Sequence, residues 1–241
     1  MTLNTTISFK ILLLVVNSVC AHITFRSPNS APPKEEQARY AKHATFSFGE
    51  NGFTAVHAGL LTRLLVYSVN VAAFLAILSA IRAPCNWLCL TASPGGNSLQ
   101  VSPGLGIGTF LMVVASALRV VCYNLLEHCF TGELAIRKDH RLVTHGPYAV
   151  VRHPSYSAAY VFMAGVVLAH LGPTSLSAEL GLWEQPVGVV AGVLQIASLV
   201  YISVVIVLRT CREDEVLSEQ FGETWKEWAK RTPDRLVPGV Y

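Results

Sequence analysis

The stretch PVGVVAGVLQIASLVYISVVIVL, residues 186–208, decides the fold class because it holds no charged side chain over its whole length. A helix rises about 1.5 Å per residue, so this stretch reaches about 35 Å. That length exceeds the hydrocarbon core of a bilayer, which is about 30 Å thick. Residues 186–208 therefore predict a membrane-spanning helix.

Three further apolar stretches approach or reach the same length: Leu64–Ile81, Val101–Leu118 with an extension past Arg119 to Leu126, and Pro154–Ala178. The composition agrees, since 52% of the 241 residues are hydrophobic and 14% are charged, whereas a soluble domain carries about 25% charge. Soluble, collagen-like, disordered and small disulfide-rich proteins are excluded. The six cysteines show neither a disulfide framework nor zinc-ligand spacing. The sequence predicts an all-α polytopic membrane protein with no metal.

The basic residues predict the orientation. The hydrophilic segments 26–59, 131–153 and 209–241 contain 14 of the 18 Lys and Arg residues, while the connections 83–100 and 179–185 contain none. The positive-inside rule therefore places the three basic segments in the cytosol. Residues 7–25 are either a cleaved signal peptide or a fifth span. The fifth span, Ile7–Phe25, is favoured because it leaves the basic C-terminal tail in the cytosol.

The loop before the apolar stretch Pro154–Ala178 is rich in polar side chains. It reads HRLVTHGPY over residues 140–148 and RHPSY over residues 152–156. Gly146-Pro147 predicts a turn, and Pro154 is suited to the first position of a helix. His153 and Tyr156 would then lie at a helix N-terminus, where free N–H groups favour an anion. An ordinary helix entry with interfacial aromatic and basic anchors is the alternative.

A second polar group follows the apolar stretch 186–208. Arg209 and Glu213 lie four residues apart on one helical face, and Asp214 comes next. Taken alone, such residues are typical of a weak surface ion pair. Here a second polar loop is expected at the same membrane depth, which favours a shared site.

Together the two blocks resemble the isoprenylcysteine carboxyl methyltransferase family, its fungal members especially. The family pattern H-x-L-V-T-x-G-P-Y-x-x-x-R-H-P-x-Y is matched over residues 140–156, and R-x-x-x-E-E-x-x-L-x-x-x-F-G over residues 209–222. Asp214 replaces the second Glu of that block. The likeness covers residues 118–241, and over residues 1–117 it extends only to hydrophobicity and the placement of the spans.

The resemblance implies an enzyme that uses S-adenosylmethionine to methylate the C-terminal carboxylate of the prenylated cysteine in CaaX-processed proteins. It also implies an endoplasmic reticulum membrane location and an active site that faces the cytosol, in a cofactor pocket built from loops and helix ends. Three regions are expected: an anchor span and loop (1–59), two spans (60–130) and a catalytic region (131–241). The lipid bilayer is a predicted partner, and nucleic acid is not.

The resemblance also implies roles for individual residues. Arg209 would bind the substrate carboxylate, and Arg209, Glu213 and Arg152 would form the catalytic group. The cofactor-binding residues would be His140, Arg141, Leu142, Val143, Tyr148, His153, Pro154, Ser155, Tyr156 and Glu213. A carboxylate with a pKa near 3.5 is already ionised at neutral pH, so the reaction needs positioning and desolvation rather than a general base.

Two other enzyme classes share parts of this pattern. Phospholipid N-methyltransferases have a similar H-P-x-Y loop and acidic pair, but they must deprotonate an amine. Nicotinamide-dependent sterol reductases have an R-H-x-x-Y-like loop and a related C-terminal ending, but their chains are much longer.

Two charged residues of the span that begins at Val101, Arg119 and Glu127, are expensive to place in lipid. We expect them to face the bundle interior, either as a structural pair between helices or as part of the site.

Overall fold

The computed structural model describes residues 3–26, 29, 55–82, 100–130 and 141–240. His140, most of the hydrophilic segment 26–59 and most of the connection 83–100 lie outside the described residues. The described chain forms helices and no strands. Six of these helices are α1 (Leu3–Phe25), α2 (Ala55–Arg82), α3 (Pro103–Leu126), α4 (Pro154–Val166), α5 (Pro186–Phe221) and α6 (Glu223–Arg231).

Five segments of the described chain are long and apolar enough to cross a membrane: Thr5–Phe25, His57–Leu78, Pro103–Leu126, Pro154–Glu179 and Pro186–Phe221. Each coincides with one of the predicted spans. The predicted all-α membrane architecture with five spans is therefore confirmed.

Helix α5 differs from the prediction in its length. It does not end at Leu208 but continues as one helix to Phe221, and Gly222 terminates it with a φ of +52°. Only glycine adopts such a conformation without strain. Arg209, Glu213 and Asp214 are consequently held on one continuous helix, as the spacing of Arg209 and Glu213 predicts.

The apolar stretch Pro154–Ala178 is not one continuous α-helix. Helix α4 ends at Val166 and is followed by a π-helical turn over Val167–Leu171 and a single helical turn over Leu176–Glu179. Between these turns lies Gly172-Pro173, which no regular helix accommodates well. The stretch is still long and apolar enough to cross a membrane, and its π-helical turn packs against α3.

Helices α3 and α4 form the most extensive helix pair of the bundle. A Cβ atom on Gly108 of α3 would lie 2.5 Å from the carbonyl oxygen of Gly165 and 2.7 Å from the amide nitrogen of Ala169. Small residues at such positions allow the two backbones to touch, which is the usual way membrane helices associate. This contact sets the position of α4 relative to the end of α3.

Helix α1 packs against α2 and α3 and carries a buried charge. Lys10 is 2% exposed, and its Nζ lies 2.6 Å from Glu179 Oε2 and 2.9 Å from the carbonyl oxygen of Gln100. An unpaired ammonium would be expensive in this apolar setting, so the pair fixes the register of α1 against the loop after α4.

At the other end of the bundle, a second apolar cluster joins α3, the loop 141–153 and α6. Its buried members are Cys122, Val143, Tyr148 and Trp228, with Leu118, Leu125, Leu126, Leu142 and Trp225 packed around them. The Trp228 indole donates a hydrogen bond to the carbonyl oxygen of Tyr148 at 3.1 Å. Helix α6 is thereby docked onto the loop that holds most of the predicted site residues.

We predict that Gly108→Ala destabilises the protein, because the added methyl group would overlap the backbone of α4. Such overpacking costs about 1–3 kcal/mol or more. Gly106→Ala is the matched control on the same helix, since nothing lies within 4 Å of its added Cβ. Thermal unfolding in detergent should show a lower midpoint for Gly108→Ala only. Equal midpoints for the two variants would contradict the close contact between α3 and α4.

Candidate active site

The loop before α4 has a defined shape. Residues Gly146–Ala149 form a 3₁₀ turn, Gly146 has a φ of +62°, and Pro154 occupies the first turn of α4. The turn and the helix start were both predicted from the sequence. His153 immediately precedes the helix, and its side chain points into the protein rather than to solvent, with 5% of it exposed.

The C-terminal segment holds this loop through backbone hydrogen bonds. The amide of Arg152 donates to the carbonyl oxygen of Asp234, and the amide of His153 donates to that of Arg235, both at 2.9 Å. The Ser157 hydroxyl donates to the carbonyl oxygen of Leu236 at 2.5 Å. Sequence reasoning missed this role, since bonds between backbone groups leave no side-chain signature.

Glu213 lies at the centre of the candidate site. Its Oε1 accepts hydrogen bonds from the Tyr156 hydroxyl at 2.6 Å and from Arg209 Nε at 3.0 Å, while its Oε2 lies 3.3 Å from His153 Nδ1. The pair Arg209–Glu213 exists, as the spacing predicts. It belongs to a partly buried network, however, and not to an isolated surface ion pair.

Asp214 forms the second centre and is more deeply buried, at 5% exposed. His153 Nε2 lies 3.0 Å from its Oδ1, and its Oδ2 is bound by Arg235 Nε at 2.8 Å and Arg152 at 3.2 Å. The two polar blocks predicted to share a site are therefore in direct contact. These contacts join four cationic side chains to two carboxylates, an excess of positive charge that suits an anionic ligand.

His153 is the side chain that both carboxylates contact. Burial by itself would lower its pKa, but the hydrogen bonds to Asp214 and Glu213 outweigh this effect and raise the pKa from 6.5 to about 9. The imidazole is therefore a cation at neutral pH, with both nitrogens donating. It binds the loop to α5 through both carboxylates.

The predicted cofactor-binding residues divide into two groups. Tyr148, His153, Pro154 and Ser155 are buried, and Leu142 and Val143 pack into the second apolar cluster. Arg141, in contrast, is 64% exposed and forms an ion pair of 3.1 Å with Glu127. His153, Pro154 and Ser155 thus lie at the start of α4, Leu142, Val143 and Tyr148 lie in the cluster with α3 and α6, and His140 lies outside the described residues.

Arg119 and Glu127 do not pair with each other. Arg119 donates to the Tyr123 hydroxyl at 2.8 Å and to the carbonyl oxygen of Ser155 at 3.0 Å, while Glu127 binds the exposed Arg141. The expectation that Glu127 faces the bundle interior is wrong, because α3 ends at Leu126 and Glu127 is exposed. Arg119 instead binds the first turn of α4, through its hydrogen bond to the carbonyl oxygen of Ser155.

Three buried polar atoms at the site have no hydrogen-bond partner among the described residues. They are Arg152 Nε, Ser155 Oγ and Trp225 Nε1. The Arg152 guanidinium also lies 5.7 Å from the centre of the Trp225 ring. Unpaired buried donors are costly, and they are rare in native proteins unless a ligand or water binds them. These atoms fit a cofactor with an acidic group, such as the methyl donor that the resemblance implies.

An open apolar groove lies on the exposed face of α5 that leads to Arg209. It has a volume of about 440 Å³, and its lining residues, all on this helix, are Ala197, Val200, Tyr201, Val204, Val205 and Leu208. These residues follow one face of the helix, and Leu208 directly precedes Arg209. A long hydrocarbon chain lying in the groove would bring a polar end group to Arg209.

The raised pKa of His153 predicts a specific pH dependence of stability. A group with a folded-state pKa above its unfolded value stabilises the fold fully below pH 6.5, and the stabilisation is lost as pH rises through about 9. Thermal unfolding between pH 6.5 and 9.5 should therefore show a larger fall in midpoint for the wild type than for His153→Gln. Parallel curves would show that His153 is not the titrating group.

Comparison with known proteins supports one family. The model of the isoprenylcysteine carboxyl methyltransferase family matches residues 107–183, which include the loop before α4 but no part of α5. The chain is 27% identical to protein-S-isoprenylcysteine O-methyltransferase B of Arabidopsis thaliana over 128 residues, 52% of this chain and 55% of that protein. It is 29% identical to a probable protein-S-isoprenylcysteine O-methyltransferase of Oryza sativa subsp. indica over 81 residues, 32% of this chain and 42% of that protein.

A different kind of enzyme is also similar. The chain is 27% identical to a Delta(14)-sterol reductase of Mus musculus over 101 residues, which make up 42% of this chain and 20% of that protein. The chain thus spans between a fifth and about half of the length of these three relatives, and the predicted likeness to fungal members stays a prediction. The conclusion that holds is that this integral membrane protein is similar, over residues 107–183, to the isoprenylcysteine carboxyl methyltransferase family.

Proposed function

We propose that this protein methylates the C-terminal carboxylate of the prenylated cysteine in CaaX-processed proteins, with S-adenosylmethionine as the donor. The match to the methyltransferase family and the two plant relatives support the reaction class. The observation that carries the proposal is the direct contact between the loop 152–156 and α5 through Glu213 and Asp214. The residues proposed to bind the donor and the residue proposed to bind the substrate carboxylate are thereby in contact.

Arg209 is the proposed binding residue for the substrate carboxylate. Its Nε donates to Glu213, and a guanidinium is the side chain that binds a carboxylate with two parallel hydrogen bonds. The guanidinium also lies 5.9 Å from the centre of the Tyr156 ring, which limits its orientation. The apolar groove that ends at Leu208 is suited to the prenyl chain of the same substrate.

When bound, S-adenosylmethionine supplies an electrophilic methyl group on its sulfonium. Glu213 is the proposed partner of the cofactor's amino group, and Tyr148, Ser155 and the segment 140–143 are its proposed further contacts. Arg152 orients the loop through Asp214 and offers Nε–H as a donor. These residues bind and orient both reactants and exclude water from them, which is what an already ionised nucleophile requires.

The principal alternative, methylation of an amino-lipid headgroup, fits the described site less well. That reaction must remove a proton from an ammonium group and therefore needs a base. Glu213 and Asp214 each already accept hydrogen bonds from several donors, and His153 is a cation at neutral pH. The excess positive charge of the network favours an anionic substrate over an ammonium.

The similarity to a sterol reductase gives a second alternative. It covers 42% of this chain but only 20% of that protein. Reduction would need a nicotinamide cofactor instead of S-adenosylmethionine, so a binding measurement with each cofactor separates the two functions. We further propose that the site faces the cytosol, on the basis of the positive-inside rule, and that the membrane is that of the endoplasmic reticulum.

The proposed reaction can be measured directly. Purified protein in lipid nanodiscs is mixed with labelled S-adenosylmethionine and N-acetyl-S-farnesylcysteine, and the methyl ester is measured as base-labile methanol. Phosphatidylethanolamine replaces the prenylcysteine in a parallel reaction, and NADPH oxidation with a sterol substrate is followed in a third. Ester formation is expected in the first reaction only. Folded protein that forms no ester would overturn the proposal.

Substitutions of Arg209 test its role. If a bidentate guanidinium binds the substrate carboxylate, Arg209→Lys keeps the charge but loses the two parallel hydrogen bonds. Neither Arg209→Lys nor Arg209→Ala should then retain turnover. Binding of S-adenosylhomocysteine, the product of the donor, should stay within a few fold by calorimetry, because its proposed contacts lie on other residues.

The matched control is Arg212→Lys, the same substitution on the adjacent turn of α5, which should retain activity. An isolated surface pair with Glu213 would contribute below about 1 kcal/mol, and both Arg209 variants would then stay nearly as active as the wild type. An Arg209→Lys variant with more than about a third of the wild-type kcat/KM, a loss below about 0.7 kcal/mol, would exclude the bidentate role.

A further inference from the structure

Helix α6 presents a buried donor that the proposed function does not use. The indole Nε1 of Trp225 is inaccessible to solvent and has no hydrogen-bond partner among the described residues. Trp228, on the same helix and three residues later, instead donates to the carbonyl oxygen of Tyr148 at 3.1 Å. Of these two tryptophans, one has its N–H satisfied within the protein and the other does not.

A second unpaired donor lies beside the first. The Arg152 guanidinium is 5.7 Å from the centre of the Trp225 ring, and its outer nitrogen binds Asp214 at 3.2 Å. The inner nitrogen, Nε, is buried and has no partner within the described chain. One end of Arg152 is thus held in place by the protein while another donor of the same group stays unsatisfied.

The chemistry of these two groups defines what is missing. Indole and guanidinium nitrogens donate hydrogen bonds and cannot accept them, so the absent partner must be an acceptor. Arg152, His153, Arg209 and Arg235 contact two carboxylates in this network. Its excess of positive charge favours an anionic acceptor, and a carboxylate is the anion that two neighbouring N–H donors bind best.

The position of Trp225 connects it with the proposed cofactor pocket. Trp225 packs against the cluster that contains Val143 and Tyr148, both of which have proposed cofactor contacts. Helix α6 therefore packs against the segment that is proposed to bind the cofactor. Its first turn brings the indole to the side of Arg152.

We infer that Trp225 Nε1 and Arg152 Nε form a carboxylate-binding subsite at the wall formed by α6. This inference rests on the proposed function, which supplies two carboxylates: that of the amino-acid part of the donor and that of the prenylcysteine. Trp225 is a ligand-binding residue in this subsite. A bound water is the other acceptor that fits the two donors, and the experiment below distinguishes it from a carboxylate.

The test compares ligands that differ only in the carboxylate. Calorimetry in nanodiscs measures the Kd of S-adenosylhomocysteine and of its decarboxylated analogue, and the Kd of N-acetyl-S-farnesylcysteine and of its carboxamide. The ratio of the two Kd values within each pair reports the contribution of the carboxylate. Effects of a substitution on folding or on the rest of the pocket affect both members of a pair and cancel in the ratio.

The variant is Trp225→Phe, which removes the N–H and keeps an aromatic ring over Arg152. If this N–H binds the carboxylate, the Kd of the analogue without the carboxylate, divided by the Kd of the ligand that carries it, should fall about tenfold or more for one of the two pairs. The pair that responds identifies whether the donor or the prenylcysteine supplies the carboxylate. Trp228→Phe is the matched control, because it removes an N–H that is bonded within the protein, and it should leave both ratios unchanged.

The outcomes separate this inference from the proposed function. A wild type that binds S-adenosylhomocysteine or the prenylcysteine, together with unchanged ratios in Trp225→Phe, would overturn the carboxylate subsite alone and indicate a water. An equal loss in Trp225→Phe and Trp228→Phe would also overturn it, since the effect would then be structural. A wild type that binds neither ligand would overturn the proposed function and the subsite with it.

Discussion

Two adjacent carboxylates on α5, Glu213 and Asp214, form the interaction on which the site depends. A helix places consecutive side chains about 100° apart, so the two acids reach different partners. His153 bridges them, since each ring nitrogen contacts one carboxylate. The loop before α4 is thereby held against α5, although α4 and α5 have few contacts along the rest of their length. Loss of Asp214 would remove the carboxylate that binds the buried guanidinium of Arg152, which is a large cost in an apolar setting.

The membrane explains why the charged groups lie where they do. A bilayer core tolerates charge only in pairs or within the protein interior. Lys10 and Glu179 pair near one end of the bundle, and the network around Glu213 and Asp214 occupies the other end. Between the two ends the helices associate through small residues such as Gly108 and Gly165. Rigid packing in the middle therefore fixes the positions of the ionic groups at the two ends of the bundle.

Helix α6 and the tail contribute more than the sequence indicates. The carbonyl oxygens of Asp234 and Arg235 bind the backbone of the loop, and Arg235 adds a cation to Asp214. In the sequence the same tail is only a short motif after a polar helix. In the structure this tail binds the loop before α4 and Asp214. It follows the turn at Gly222, where α5 ends.

The sequence by itself determined the five spans, the turn at Gly146-Pro147 and the start of α4 at Pro154, because hydrophobic length and proline stereochemistry act locally. It also indicated that residues 152–156 and 209–214 would meet, since both lie at the same ends of their helices. Only the tertiary structure decided which atoms pair. Arg119 binds the backbone of α4 rather than Glu127, Glu127 turns outward, and Arg235 joins Asp214. Such pairings depend on distances between segments far apart in the chain, and no local pattern of residues encodes those distances.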